Sequence, residues 1–236
     1  MIEHVYHRAA AAPAVDAVIV ATDDARVAIT VEGFGGTVRM TRSIHRTGTD
    51  RIAEVAADLA CDIVVNVQGD LPLLEPGMIT QVVEPLEREP ELPMATLRRA
   101  ITDAADLTNP HVVKVVTDRG GNALYFSRSA IPFLRDAGPA QAGPREGRGN
   151  LPYVGAGFYR PVFKHFGLYA YRRDFLLALT GLPQTPLEVA ESLEQLRALE
   201  HGYRIRVVET QYDTIEVDTP EDLERARQQM GAGAPS

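Results

Sequence analysis

Short apolar runs alternate with segments of helical period along most of this chain, and that alternation limits the fold more than any single motif does. The run 15–21 (VDAVIVA) stops at Thr22-Asp23-Asp24, and 25–32 has helical character up to the turn Gly33-Phe34-Gly35-Gly36. Residues 37–41 read as a strand. Residues 49–60 (TDRIAEVAADLA) read as an amphipathic helix that Thr49 or Asp50 can cap. The apolar strand 63–67 ends at Gln68-Gly69-Asp70, with a helix over 76–88 and a strand over 94–98 after it. Further on, the pattern predicts a helix over 186–201, a strand over 205–209 and a helix over 220–230 capped by Asp218 or Thr219. This order predicts an α/β protein with a mostly parallel sheet.

The middle of the chain has a different texture. Strand-like pieces at 112–117, 123–126 and 168–171 surround a Gly/Pro-rich loop, 138–152. The expectation is a β-rich lobe, about 112–180, inserted as a substrate cover or dimer surface. Residues 1–230 then make one domain, with a disordered tail at 231–236 that has nothing to pack. The chain opens in a helix, 1–11, whereas a doubly wound fold usually begins with a strand and a phosphate-cradling loop.

Composition removes several functions. Of the 236 residues 45% are hydrophobic, enough for a sizeable core, and the net charge of −8 argues against a nucleic-acid or anionic-membrane binder. The single cysteine, Cys61, excludes an intramolecular disulfide and sits in an apolar run as a small packing residue. No stretch approaches the ~20 apolar residues that span a bilayer, and no secretory signal is present, so a cytoplasmic protein is expected.

Four constellations carry chemistry. Asp70, after an apolar strand, puts a carboxylate at a strand's carboxyl end, where α/β proteins bind ligands and where a hard cation such as Mg²⁺ can be held. Asp218, in Val217-Asp218-Thr219-Pro220, is either a second such carboxylate or a helix cap. In the segment 42–51, Gly48 and Thr49 open a helix whose N–H groups can meet an anion, with Arg42, Arg46 and Arg51 adding positive charge. On the strand around 164–172, His165, Gly167, Tyr169 and Tyr171 share a face, and with flanking cations Lys164 and Arg172 they suit an acidic sugar. Gly33-Phe34-Gly35-Gly36 follows a helix rather than a strand, so it is no dinucleotide loop.

The order ATDD (21–24), MTR…H…GT-D-R (40–51), NVQGD-P (66–72), NP-x-VVKVV (109–116), ALYFSRSxIP (123–132), H-x-G-x-YAYRR (165–173), PLE…E-x-LEQLR (186–197) and VDTPEDLERAR (217–227) resembles the 3-deoxy-manno-octulosonate (KDO) cytidylyltransferases. The resemblance runs from about residue 1 to 230. It implies a Rossmann-like nucleotide-diphospho-sugar transferase fold, a homodimer, CTP and KDO as substrates, Mg²⁺ as cofactor and a place in lipopolysaccharide synthesis. It also implies roles: Asp70 and Asp218 as Mg²⁺ ligands; Gln68, Gly48, Thr49 and Arg51 on the nucleotide side; Ser127, Arg128, His165, Tyr169, Glu194 and Gln195 on the sugar side. The family opens with a strand and an Arg/Lys loop that holds the triphosphate, and this chain begins just after that loop. Residues 1–236 alone are therefore expected to have a gap in the sheet and low turnover. A sialate-like acidic sugar remains an alternative substrate, and a ligand-binding remnant an alternative class; the tyrosine strand and the PLE…LEQLR helix favour KDO.

Overall fold

Residues 1–134, 162–214, 217 and 219–232 are described in a computed structural model of the chain, and they fall into two units. The first comprises Met1–Ala95, Gly167–Gly181 and Tyr212–Ser236; the second comprises Thr96–Phe166 and Leu182–Gln211. In chain order the first elements are α1 (Ile2–Ala10), β1 (Val20–Thr22), α2 (Ala25–Gly33), β2 (Val38–Met40), α3 (Gly48–Ala57), β3 (Ile63–Asn66) and α4 (Pro76–Arg88). Then come β4 (Met94–Ala100), α5 (Ala104–Thr108), β5 (Lys114–Thr117), β6 (Ala123–Ser127) and β7 (Phe163–Arg172). The remainder is α6 (Arg173–Thr180), α7 (Pro186–Glu191), α8 (Gln195–Glu200), β8 (Ile205–Glu209) and α9 (Pro220–Ala232). The expected loop 138–152 and the tail 233–236 lie outside the described residues.

In the first unit β1 and β2 run parallel, with Val20 opposite Val38. Only three residues of the apolar run 15–21 and its stop become strand, because β2 offers three ladder positions. Among the described residues this pair is a two-stranded sheet by itself. β3 pairs antiparallel with the second half of β7, from Ile63 opposite Arg172 to Asn66 opposite Tyr169. Helix α4 starts at Pro76, which fixes φ where no intrahelical N–H is needed. It buries Met78, Ile79, Val82, Val83 and Leu86 at helical spacing, each worth about 1.5–3 kcal/mol when withdrawn from water. Gly77 lets Tyr212 lie on that helix, since a Cβ there would come within 2.6 Å of the tyrosine oxygen. Thr47 caps α3, accepting from the Asp50 amide at 3.1 Å, so the helix begins one residue before Thr49.

In the second unit the strand order is β6-β5-β7-β4-β8. β5 is antiparallel to both β6 and β7. Leu97, Val115, Phe126, Phe166, Leu196, Ile205 and Val207 are buried there. β4 and β7 contribute residues to both units. The α/β class holds, while the strand directions are more mixed than the alternation of apolar runs predicts. β7 is antiparallel to β3 and β5, and the bonds Ile101 N to Val162 O and Arg172 N to Pro93 O make it antiparallel to β4 as well. Hydropathy reports how deeply a strand is buried, not which way it runs.

The helix predicted over 186–201 is two helices. α7 ends at Ser192, whose φ of 52° is left-handed, and α8 restarts at Gln195. The Leu193 amide returns to Glu188 O at 3.2 Å and closes the first helix.

Candidate active site

The carboxyl ends of β1, β2 and β3 gather the first unit's functional side chains. Arg51, in the first turns of α3, donates from Nη1 to Thr41 Oγ1 at 2.6 Å and pairs with Asp23 Oδ1 at 3.1 Å. Asp23 follows β1 and Thr41 follows β2, so one guanidinium spans both strand ends. Gly48 opens α3 beside β3's continuation: a Cβ there would stand 3.9 Å from Gln68 Oε1. Gly48 and Thr49 are the first two helical residues, whose N–H groups have no partner within the helix. A helix start, an arginine and a carboxamide in one place suit an anion attached to a base edge.

The loop before α3 is braced by Glu54. Its carboxylate accepts from Arg42 Nε at 2.9 Å and contacts His45 Nε2, and these partners, Arg42 foremost, hold its pKa down at about 2. Arg42, Ile44, His45, Arg46, Glu54 and Leu177 line a groove of about 430 Å³ beside it.

Asp70 lies in the same unit, three residues beyond Val67. Its carbonyl accepts the Val217 amide at 3.0 Å, which brings Val217 against the turn after β3. Asp218 itself lies outside the described residues. Thr219 performs the capping that Asp218 could have performed: its Oγ1 accepts from the Asp222 amide at 3.2 Å. Among the described residues no three His, Cys, Asp or Glu side chains cluster for a metal. Mg²⁺ does not require that, since it takes one or two carboxylates and completes its shell with phosphates and water. The strand-end carboxylate of Asp70 fits that donor set.

Tyr169 belongs to the first unit, opposite Asn66 on β3; it is 9% exposed and stacks on Tyr171 with centroids 5.8 Å apart. The flanking arginines have other work. Arg173 donates to the Ala56 and Ala57 carbonyls at 2.9 and 2.7 Å, at the C-terminus of α3. Arg172 donates to the Leu86 carbonyl and, at 3.2 Å, to that of Glu89, at the C-terminus of α4. Orphan helix carbonyls therefore claim these cations, and Lys164 pairs with Asp106 at 3.6 Å. The reading of Lys164 and Arg172 as partners of an acidic sugar is corrected accordingly.

The remaining sugar-side residues, His165, Ser127, Arg128, Glu194 and Gln195, lie in the second unit. Thr96 Oγ1 lies 2.9 Å from His165 Nε2 and 3.1 Å from Phe166 O, so one hydroxyl ties the imidazole to the β7 backbone. Phe126 packs edge-on at 4.9 Å, and the loss of water around the ring pushes the His165 pKa down to about 3. Ser127 ends β6, Arg128 follows it, and both bond to Glu191: Ser127 Oγ donates to its carboxylate at 2.6 Å, and the Arg128 amide does so at 3.0 Å. Gln195, 5% exposed, begins α8.

Sequence reasoning missed Asp23, Thr41, Glu54 and Glu191. Asp23 had a usable signal, because it ends a strand by the same logic as Asp70. Glu191 had none, being one of several glutamates in 186–200.

Known proteins resemble this chain over nearly all of its length. The sequence model of the cytidylyltransferase family matches residues 1–205. A 3-deoxy-manno-octulosonate cytidylyltransferase of Pelobacter propionicus is 54% identical over 232 residues, covering 98% of this chain and 88% of its own length. That of Geobacter metallireducens is 52% identical over 230 residues, covering 98% and 87%. A solved structure of a CMP:2-keto-3-deoxy-manno-octonic acid synthetase complexed with CTP is 41% identical, with a TM-score of 0.85, covering 99% of this chain and 88% of that one. With its strand-end aspartate, its helix start at Gly48 and half of its residues shared over nearly its whole length, the chain belongs to the 3-deoxy-manno-octulosonate cytidylyltransferase family.

Proposed function

We propose that the chain transfers CMP from CTP to the anomeric hydroxyl of KDO, releasing pyrophosphate, and so supplies CMP-KDO for lipopolysaccharide synthesis. The observation that carries this reading is the first unit's grouping of Arg51, Gln68, the Gly48 helix start and Asp70 at successive strand ends, in a chain 54% identical to a KDO cytidylyltransferase.

The sugar's anomeric oxygen forms a bond to the α-phosphorus, the bond from that phosphorus to the β-phosphate's bridging oxygen breaks, and the hydroxyl proton passes to water. Little covalent chemistry falls to the protein. Its residues hold two anionic substrates in line and offset their repulsion. Gly48, Thr49, Gln68 and Arg51 serve the nucleotide. Tyr169, Glu194, Gln195 and the neutral His165 serve the sugar. Mg²⁺, held by Asp70 with Asp218, supplies charge neutralisation when bound.

The setting proposed is the cytoplasm, with the chain as a homodimer. No helix among the described residues is long and apolar enough to cross a membrane, and light scattering on the purified protein tests the dimer. Substrate choice is tested by following CMP-sugar formation with KDO and with a nine-carbon sialate in parallel. KDO should react at least about tenfold faster, because sites that hydrogen-bond a substrate discriminate strongly against mismatched ones. Equal rates, or preference for the sialate, would reassign the sugar.

A further inference from the structure

The second unit holds a polar network that the nucleotide chemistry does not use. At its centre the Glu191 carboxylate accepts from Ser127 Oγ at 2.6 Å, the Arg128 amide at 3.0 Å and the Tyr125 hydroxyl at 3.3 Å. Burial would raise the Glu191 pKa, but these donors outweigh it and hold the group below the usual carboxylate range. Arg128 returns the grip: Nε donates to Glu191 O at 2.8 Å, Nη2 to Ser192 O at 3.4 Å and Nη1 to Pro110 O at 3.0 Å. On the far side the buried Lys114 ammonium donates to the carbonyls of Arg128 and Val112, both at 2.6 Å, and of Asn109 at 2.9 Å. Every proton of that ammonium is used.

The clasp holds a piece of backbone that local propensity does not explain. Ser192 is the only non-glycine residue with positive φ among the described residues, and it lies where the network grips the carbonyls of Glu191 and Ser192. Without the break, the apolar and polar spacing of 186–201 would run on as one helix. Just after the break stand Glu194 and Gln195. The Gln195 side chain is buried, and its Nε2 has no hydrogen-bond partner among the described residues. A buried amide N–H left unsatisfied is costly, and a ligand oxygen would satisfy it.

We propose that Glu191 is a positioning residue for the sugar: by gripping Ser127 and Arg128 it fixes the α7–α8 break at Ser192 and thereby sets where Gln195 Nε2 and Glu194 point. This rests on the sugar reading given above. Ser127 and Arg128 then act through the clasp, because the arginine's three nitrogens already donate to backbone carbonyls.

The test pairs two measurements on Glu191→Gln, which keeps the shape but cannot accept three donors at full charge. Hydrogen exchange should quicken at residues 192–196 while the first unit's amides keep their rates. Calorimetric titration should show KDO binding about tenfold weaker, as expected for the loss of charge-assisted bonds, with CTP affinity within twofold of wild type. Tyr125→Phe, which removes only the longest of the three donors, should shift KDO affinity in the same direction by less and guards against a misfolded first variant. Unchanged exchange, unchanged KDO affinity in both variants, or equal loss of both ligands overturns the proposal. A wild-type chain that binds CTP and no KDO overturns the substrate reading, and this role with it; a wild type that binds both beside an indifferent Glu191→Gln overturns the positioning role alone.

Discussion

Val217 donates its backbone amide to the carbonyl of Asp70 at 3.0 Å, joining two segments separated by nearly 150 positions in the chain. That bond sets Val217 against the turn after β3 that carries the Asp70 carboxylate. Asp70→Asn keeps the shape and removes the charge. Turnover should fall on the order of 10²-fold or more, with a melting temperature close to wild type. Near-normal turnover in Asp70→Asn would return Asp70 to the role of a turn residue.

A second expectation concerns Glu188 and Arg197, joined by bonds of 2.9 and 2.5 Å with each residue less than 10% exposed. Glu188 also accepts the Thr185 amide at 3.2 Å, so the pair ties the start of α7 to α8. Arg197→Ala would leave a buried carboxylate without its cation, at a cost of about 3–5 kcal/mol. Burial raises the Glu188 pKa, and Arg197 with the Thr185 amide more than reverses that, so the folded value lies below 4.5. The pair's stability is therefore full above 4.5 and lost as pH falls through the folded value. Urea midpoints at neutral and acid pH check both points; an Arg197→Ala chain as stable as wild type would show the pair to be dispensable.

His165 gives the opposite chemistry with the same sign. Its folded pKa of about 3 lies well below the ordinary 6.5, so between those values the unfolded chain takes up a proton that the folded one refuses. Stability should fall as pH drops from 6.5 toward 3, and His165→Gln should flatten that slope. Matching slopes for the two proteins would mean that the imidazole protonates in place.

Tyr169 stands opposite Asn66, at the strand that leads to Gln68 and Asp70. Tyr169→Phe removes one hydroxyl and should raise the apparent KM for KDO more than that for CTP. Equal effects on both substrates, or an effect on melting alone, would make Tyr169 a packing residue.

Much of the first unit was legible because its signals are local. Asp70 and the Gly48 helix start follow from strand ends and helix starts, and α4 was read at its true ends from the spacing of five buried residues. What was not legible depends on partners distant in the chain. Nothing near Ser192 announces a break, since the groups that hold it come from Arg128. Arg172 looks in the sequence like a cation for an acidic sugar, yet the carbonyls ending α4 claim it. The direction of β7 was hidden for the same reason: ladder partners decide it, and apolar content does not reveal them.

The central claim is nucleotidyl transfer from CTP to KDO, and pyrophosphate release measured with both substrates and Mg²⁺ tests it most directly. Release should require CTP and KDO together, yield CMP-KDO and collapse on Asp70→Asn. A chain that folds and binds CTP, yet releases no pyrophosphate with KDO, would contradict the account.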